Sequence, residues 1–136
     1  MSALAPEDTA YRHVPEPRCR VELRPPGSDG VRVVGLSGVP GMRDSRRVHE
    51  AMVTALRDAP RAVVIDVSGV HCFDSDGFML LVLMRRHARR LGATLPVAGA
   101  APAVARSLHK FDLNGLFSWF TTVSEAVTAH APRSMA

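Results

Sequence analysis

One stretch, 62–91, constrains the fold more than any other. Ala62-Val63-Val64-Ile65-Asp66-Val67 is an almost unbroken apolar run rich in β-branched residues, too short for a core helix. It reads as a strand buried on both faces, the kind found inside a parallel sheet with helices on either side. Asp74-Ser75-Asp76-Gly77 then stands ahead of a second apolar segment, which ends in Arg85-Arg86-His87-Ala88-Arg89-Arg90 and is closed by Gly92. Small polar residues before an apolar run, cations in its last turns and a glycine just beyond are the start and stop signals of a helix, here over 77–91. Asp74 or Ser75 is placed to accept hydrogen bonds from the first free N–H groups, and Asp76 adds negative charge where the helix dipole favours it.

The rest of the chain repeats this alternation. A weakly alternating strand over 18–24 is joined to a second, over 31–36, by the dense turn signal Pro25-Pro26-Gly27-Ser28-Asp29-Gly30, which makes a hairpin. Gly38-Val39-Pro40-Gly41 ends that strand, and Val48, Met52, Ala55 and Leu56 then recur at helical spacing up to Asp58-Ala59-Pro60. After the 77–91 helix come a strand over 94–98, a helix over 103–111 and a short strand over 117–120. A helix over 123–131 ends the series. Asp112-Leu113-Asn114-Gly115 carries a left-handed cap signal. Right-handed crossovers make the later strands parallel and leave the hairpin as an antiparallel edge. The expected fold is therefore a single α/β domain over 18–131, with a mixed, mostly parallel sheet of about five strands and about four helices. A flexible arm, 1–17, precedes it and a tail, 132–136, follows. Such sheets present functional loops at the carboxyl ends of their parallel strands, where 74–77 falls.

Composition narrows the function classes. With 136 residues and 46% apolar content, the chain supports one domain with a core and is too short for two. Its longest apolar run, 78–84, is too short to cross a bilayer, and 1–17 lacks the hydrophobic segment of a signal peptide. A cytoplasmic location without direct membrane insertion is expected. Cys19 and Cys72 lie in or beside apolar segments without Cys-x-x-Cys spacing and read as reduced, packed thiols. The formal charge of +4 is mostly arginine, and the one cluster, 85–90, sits where cations complement a helix dipole. No nucleic-acid-binding motif accompanies it, so an acidic protein is the expected partner rather than nucleic acid. The six histidines lack metal-ligand spacing, and neither a nucleophile elbow nor a glycine-rich phosphate loop is present. No enzyme activity, metal, cofactor or small-molecule substrate is expected. Asp66 and Asp74 invite a receiver-type aspartyl-phosphate site, but that chemistry needs a lysine near the last strand, and the only lysine, Lys110, is on a helix.

By spacing and setting, Asp74-Ser75-Asp76-Gly77 resembles the signature loop of the STAS domain family, which includes anti-sigma factor antagonists and the cytoplasmic domains of sulphate transporters. Val63-Val64-Ile65-Asp66-Val67-Ser68-Gly69-Val70 is similar to the strand entering that loop. Phe111-Asp112-Leu113-Asn114-Gly115-Leu116-Phe117 is similar to the family's leucine-glycine-leucine turn before its last strand. In phosphorylated antagonists the loop reads Asp-Ser-Ser-Gly or Asp-Ser-Thr-Gly, and the second hydroxyl is modified by a partner kinase. That position is Asp76 here. Gly41 is a second departure, since many bacterial antagonists carry an aspartate in the loop after the second strand. The resemblance implies a protein that sequesters an anti-sigma factor of the serine-kinase type and so frees a sigma factor. Its phosphorylation switch is missing, because a Ser/Thr kinase cannot modify Asp76. The rival implication is a non-switching STAS scaffold or a transporter-regulating subunit of a larger complex.

Local chemistry leaves two roles for Asp76: an ordinary first-turn helix acid, or a fixed partial mimic of phosphoserine with about one charge instead of about two. Ser75 is the remaining hydroxyl, a helix cap or a replacement phosphoacceptor. Along the helix, Phe78, Leu81 and Val82 share one face while Met79 and Leu83 lie toward another, more apolar surface than one sheet-packed stripe needs. Either the helix is buried nearly all round, or Met79 and Leu83 form a docking patch with Arg86 and Arg90 as a basic rim. The expected partner-binding set is Asp74, Ser75, Asp76, Gly77, Met79, Leu83, Arg86 and Arg90, with Gly41 close by.

Overall fold

β3, Ala62–Val70, organises the molecule. In the computed structural model, which describes residues 19–27 and 29–132, its side chains alternate between two apolar layers. Val63, Ile65 and Val67 face one layer, Ala62 and Val64 the other, and all five are fully buried. Burying each larger side chain contributes about 1.5 to 3 kcal/mol, so a strand of this composition is stable only at the centre of a sheet. The expected arm, 1–17, and residues 133–136 of the expected tail lie outside the described residues.

The other strands are β1 (Cys19–Leu23), β2 (Val31–Gly38), β4 (Val97–Ala98) and β5 (Trp119–Phe120). They stand in the order β1-β2-β3-β4-β5, antiparallel between β1 and β2 and parallel elsewhere. The opening hairpin is thus the antiparallel edge. One layer is built by α1 (Ser45–Leu56), α2 (Ser75–Arg90) and α3 (Pro102–Phe111). Val48, Met52, Ala55 and Leu56, the apolar stripe of α1, are its buried residues. The other layer is α4 (Val123–His130), whose Val123, Ala126 and Val127 pack on Val31, Val64 and Ala98.

Element ends differ from expectation for local reasons. β3 runs on to Val70 because β2 follows it to Gly38 through a bulge between Gly35 and Ser37. β4 shrinks to two residues, with a separate bridge from Thr94 to Ala62. Pro96 interrupts it: its carbonyl accepts from Ile65 N–H at 2.9 Å, but it has no N–H to give back. Cys19 is buried as expected, and burial, followed by the nearby Asp44 charge, pushes its thiol up to about 11. Cys72 is exposed on the loop before α2, where a packed thiol was expected.

On the other face of β3 from Ile65, Asp66 is buried and paired with Arg24 Nη2 at 2.7 Å. A methyl on Gly35 would lie 2.9 Å from that nitrogen, so a residue without a side chain is what lets the guanidinium cross the sheet. Burial alone would raise the Asp66 carboxyl; hydrogen bonds from Ser68 N–H, at 2.9 Å, and from Arg24 outweigh it and hold the group below its ordinary value.

Candidate functional site

The loop between β3 and α2 is fixed from within the chain. Phe73 is buried, and its ring packs beside Gly77, where an added methyl would come within 2.7 Å of both the ring and Pro40 O. Gly77 therefore lets the 40–44 loop close onto the start of α2. Asp74 is the N-cap, its Oδ1 accepting from Gly77 N–H at 2.9 Å. α2 starts at Ser75, two residues earlier than the glycine suggested, because the cap is Asp74. Of the two candidate caps, Ser75 is thus not the one used; it occupies the first helical position and is exposed.

Asp76 does something that sequence spacing alone does not predict. Its Oδ2 accepts from Met42 N–H at 2.8 Å, joining the first turn of α2 to the 3-10 turn Met42–Asp44 that leads into α1. Gly41 makes this possible: a Cβ there would sit 2.6 Å from the same oxygen and displace it. Its backbone is extended, at φ −164°, so the glycine is needed for space and not for conformation. The two departures from the family pattern are therefore one arrangement, since a carboxylate on one loop occupies room left by the missing side chain on the other. An aspartate at 41 would meet Asp76 with both steric overlap and like charge. Asp44 completes the set, its Oδ2 accepting from Gly41 N–H at 3.0 Å while Arg47 binds its other oxygen. Arg47 also donates to Cys19 O at 2.7 Å, which ties the loop to the edge strand.

Met79 lies on the outer face of α2 and is 49% exposed. Leu80, Leu81 and Met84 are buried, while Phe78, Val82 and Leu83 are half-buried. The helix is therefore not enclosed all round. Leu83 lines a cleft between α1 and α2 of about 280 Å³ with Val48, Leu80 and Met84, across which His49 Nδ1 and His87 Nε2 stand 3.1 Å apart. Burial, then the His49 and Arg90 charges, lowers the His87 pKa. A second cleft, about 390 Å³, continues past the histidine pair to Val53, Leu91 and Arg90. Leu83 and Arg90 thus border one apolar groove, whereas Arg86 lies outside it, on a neighbouring surface with Val82 and Arg85 that Arg90 also borders. Met42 and Asp44 belong to the site yet were not foreseen: the part of Met42 depends on a contact between loops 34 residues apart, and that of Asp44 on the local turn that brings its carboxylate back to Gly41 N–H.

A family model described as Mlab, STAS domain, matches residues 23–120. No curated protein sequence matches the chain. Among solved structures, an anti-sigma factor antagonist from Mycobacterium paratuberculosis is similar at 28% identity and a TM-score of 0.67, over 82% of this chain and 93% of that one. The unphosphorylated anti-sigma factor antagonist SpoIIAA is similar at 16% identity and a TM-score of 0.63, over 81% and 95%. The STAS domain of a SulP transporter from Vibrio cholerae reaches a TM-score of 0.62 at 16% identity, over 95% and 94%. The last two likenesses concern the fold alone. With its sheet order, its polar loop ahead of α2 and a family match spanning most of its length, the chain belongs to the STAS domain family.

Proposed function

We propose that this protein is an anti-sigma factor antagonist without a phosphorylation switch, acting in the cytoplasm as a binding module and not as an enzyme. The observation that carries the reading is the Asp76 carboxylate, held on Met42 N–H in the place where a switching antagonist has its phosphorylatable hydroxyl. That contact holds the loop in one arrangement and leaves Ser75, Asp76 and Met79 exposed side by side on one end of the domain. The partner is an anti-sigma factor of the serine-kinase type, and sequestering it frees the sigma factor. Likeness to the mycobacterial antagonist supports this choice of partner.

Co-purification from the native cell tests it. The wild-type domain should retain an anti-sigma kinase, and Met79→Asp should lose it, because an unpaired charge in a desolvated interface centre costs about 2 kcal/mol or more. The fold should remain intact, as Met79 is half exposed. Incubation with that kinase and ATP should leave the wild-type protein unmodified, while Asp76→Ser becomes a substrate; stoichiometric phosphate on Ser75 would contradict the loss of the switch. A second reading, a transporter-regulating or scaffold subunit, is compatible with the fold shared with the SulP transporter's STAS domain over almost the whole of both chains. Retention of membrane-transport subunits in place of a kinase would select it.

A further inference from the structure

The far end of α2 holds a second site. A cleft of about 380 Å³ opens between the last turns of α2, the 92–96 segment leading into β4, and the residue before β5. It lies at the amino ends of the parallel strands, on the opposite edge of the sheet from Asp74 and Asp76. Arg85, Arg89, Thr94, Ser118 and His130 supply its polar lining, and none of its lining residues is acidic.

The simplest role for these arginines, neutralising the carbonyls at the C-terminus of α2, is partly filled by the backbone. The N–H groups of Leu91 and Ala93 both reach Ala88 O, at 3.0 and 2.9 Å, and Gly92 N–H reaches Arg89 O at 3.1 Å. Arg85 turns away from the helix end and donates from Nε to Leu116 O at 2.9 Å, which fixes the guanidinium at the cleft, and its two terminal nitrogens have no partner among the described residues. Arg89 lies one turn further along the same helix face. Neither arginine pairs with an acid among the described residues. Thr94 reaches Arg61 O only at 3.5 Å, and His130 uses Nδ1 on Ala126 O at 2.8 Å, leaving Nε2 as its other ring nitrogen.

We propose that this cleft binds a small phosphate monoester. Two cations match a dianion, and two guanidinium groups with two hydroxyls offer more donors than a carboxylate has lone pairs to use, which suits the three terminal oxygens of a phosphate. The volume falls within the range of small-molecule sites and far exceeds one phosphate group. The remaining wall, made by Ala93, Leu95, Pro96 and Leu116, is apolar and takes the organic part. This site is independent of the partner-binding loop.

Calorimetric titration of the intact protein with inorganic phosphate and with phenyl phosphate, at low salt where screening is weak, tests the proposal. Phenyl phosphate should bind saturably and more tightly than inorganic phosphate. Arg89→Gln, which disturbs no side-chain hydrogen bond among the described residues, should weaken it about tenfold or more, and Arg85→Lys, which keeps the charge but loses the planar fork, should also weaken it. Arg106→Gln, an equal change of charge on α3, should leave binding unaltered. Absence of saturable binding below about 10 mM, equal affinity for the two probes, or an equal loss in Arg106→Gln would overturn the assignment.

Discussion

The two ends of α2 carry opposite charges and use them differently. At the amino end each carboxylate is matched by a backbone N–H of the same chain: Asp74 by Gly77, Asp76 by Met42, and nearby Asp44 by Gly41. At the carboxyl end the backbone caps itself, and the arginines are left outward. The difference teaches that a charge near a helix terminus cannot be given a role from its sign and position alone. What decides is whether a partner within the fold already satisfies it. Asp76 looks like a phosphate mimic on charge, yet one of its oxygens is engaged in joining two loops. Arg85 and Arg89 look like dipole complements, yet two of the carbonyls they would serve, those of Ala88 and Arg89, already accept backbone N–H groups.

The largest effect on the amino end should come from Gly77→Ala. Its methyl would press on both Pro40 O and the Phe73 ring, and overpacking of this kind costs about 1 to 3 kcal/mol. Urea denaturation should show the loss. A wild-type midpoint would mean that the 40–44 loop does not rest on α2.

Acid should act next, through the Asp66–Arg24 pair on the other side of the sheet. The folded-state pKa of Asp66 is depressed, so its stabilisation is present above the unfolded-state value of about 4 and lost as pH falls through the lower folded value. Denaturation midpoints of Asp66→Asn should therefore change less than wild type between neutral pH and the acid range. An identical acid response in both proteins would remove Asp66 from the account.

Asp76→Asn should be a smaller perturbation, at most about 1 kcal/mol in stability, because an amide oxygen still accepts from Met42 N–H. Partner affinity should fall if the free carboxylate oxygen meets a basic group on the anti-sigma factor. Calorimetry at low salt measures this, and unchanged affinity would leave Asp76 with its loop-joining role alone.

Much of the fold could be read from the chain because its signals are local. The apolar run 62–67 specified a strand buried on both faces, and the spacing of Val48, Met52, Ala55 and Leu56 specified the buried stripe of α1. The cap residues placed α2 to within two positions. The site was less legible. Asp74, Asp76, Gly77 and Gly41 could be picked out by resemblance to the STAS loop, but their connections could not, because Asp76 and Met42 meet only after β2 and β3 have paired in parallel and brought their following loops together. Gly41 is the extreme case, since its contribution is the absence of a side chain, visible only once the Asp76 oxygen is seen to occupy the space. Met79 and Leu83 could not be separated either: both are apolar on a mostly apolar helix, and it is the approach of α1 that half-buries Leu83 and leaves Met79 out.

Gly41 and Asp76 form one arrangement, and a double-mutant cycle between Gly41→Ala and Asp76→Ala measures their coupling. In the wild-type background the new methyl at 41 should displace Asp76 from Met42 N–H and cost about 1 kcal/mol. With Asp76 already truncated, no described residue other than the chain neighbours lies within 4 Å of that methyl, and Gly41 has an extended backbone that alanine adopts without strain. Gly41→Ala should then be neutral or stabilise by about 0.5 kcal/mol, through the reduced freedom of the unfolded chain. The effect of Gly41→Ala should therefore change sign between the two backgrounds; the same cost in both, to within about 0.3 kcal/mol, would mean that the two residues are independent.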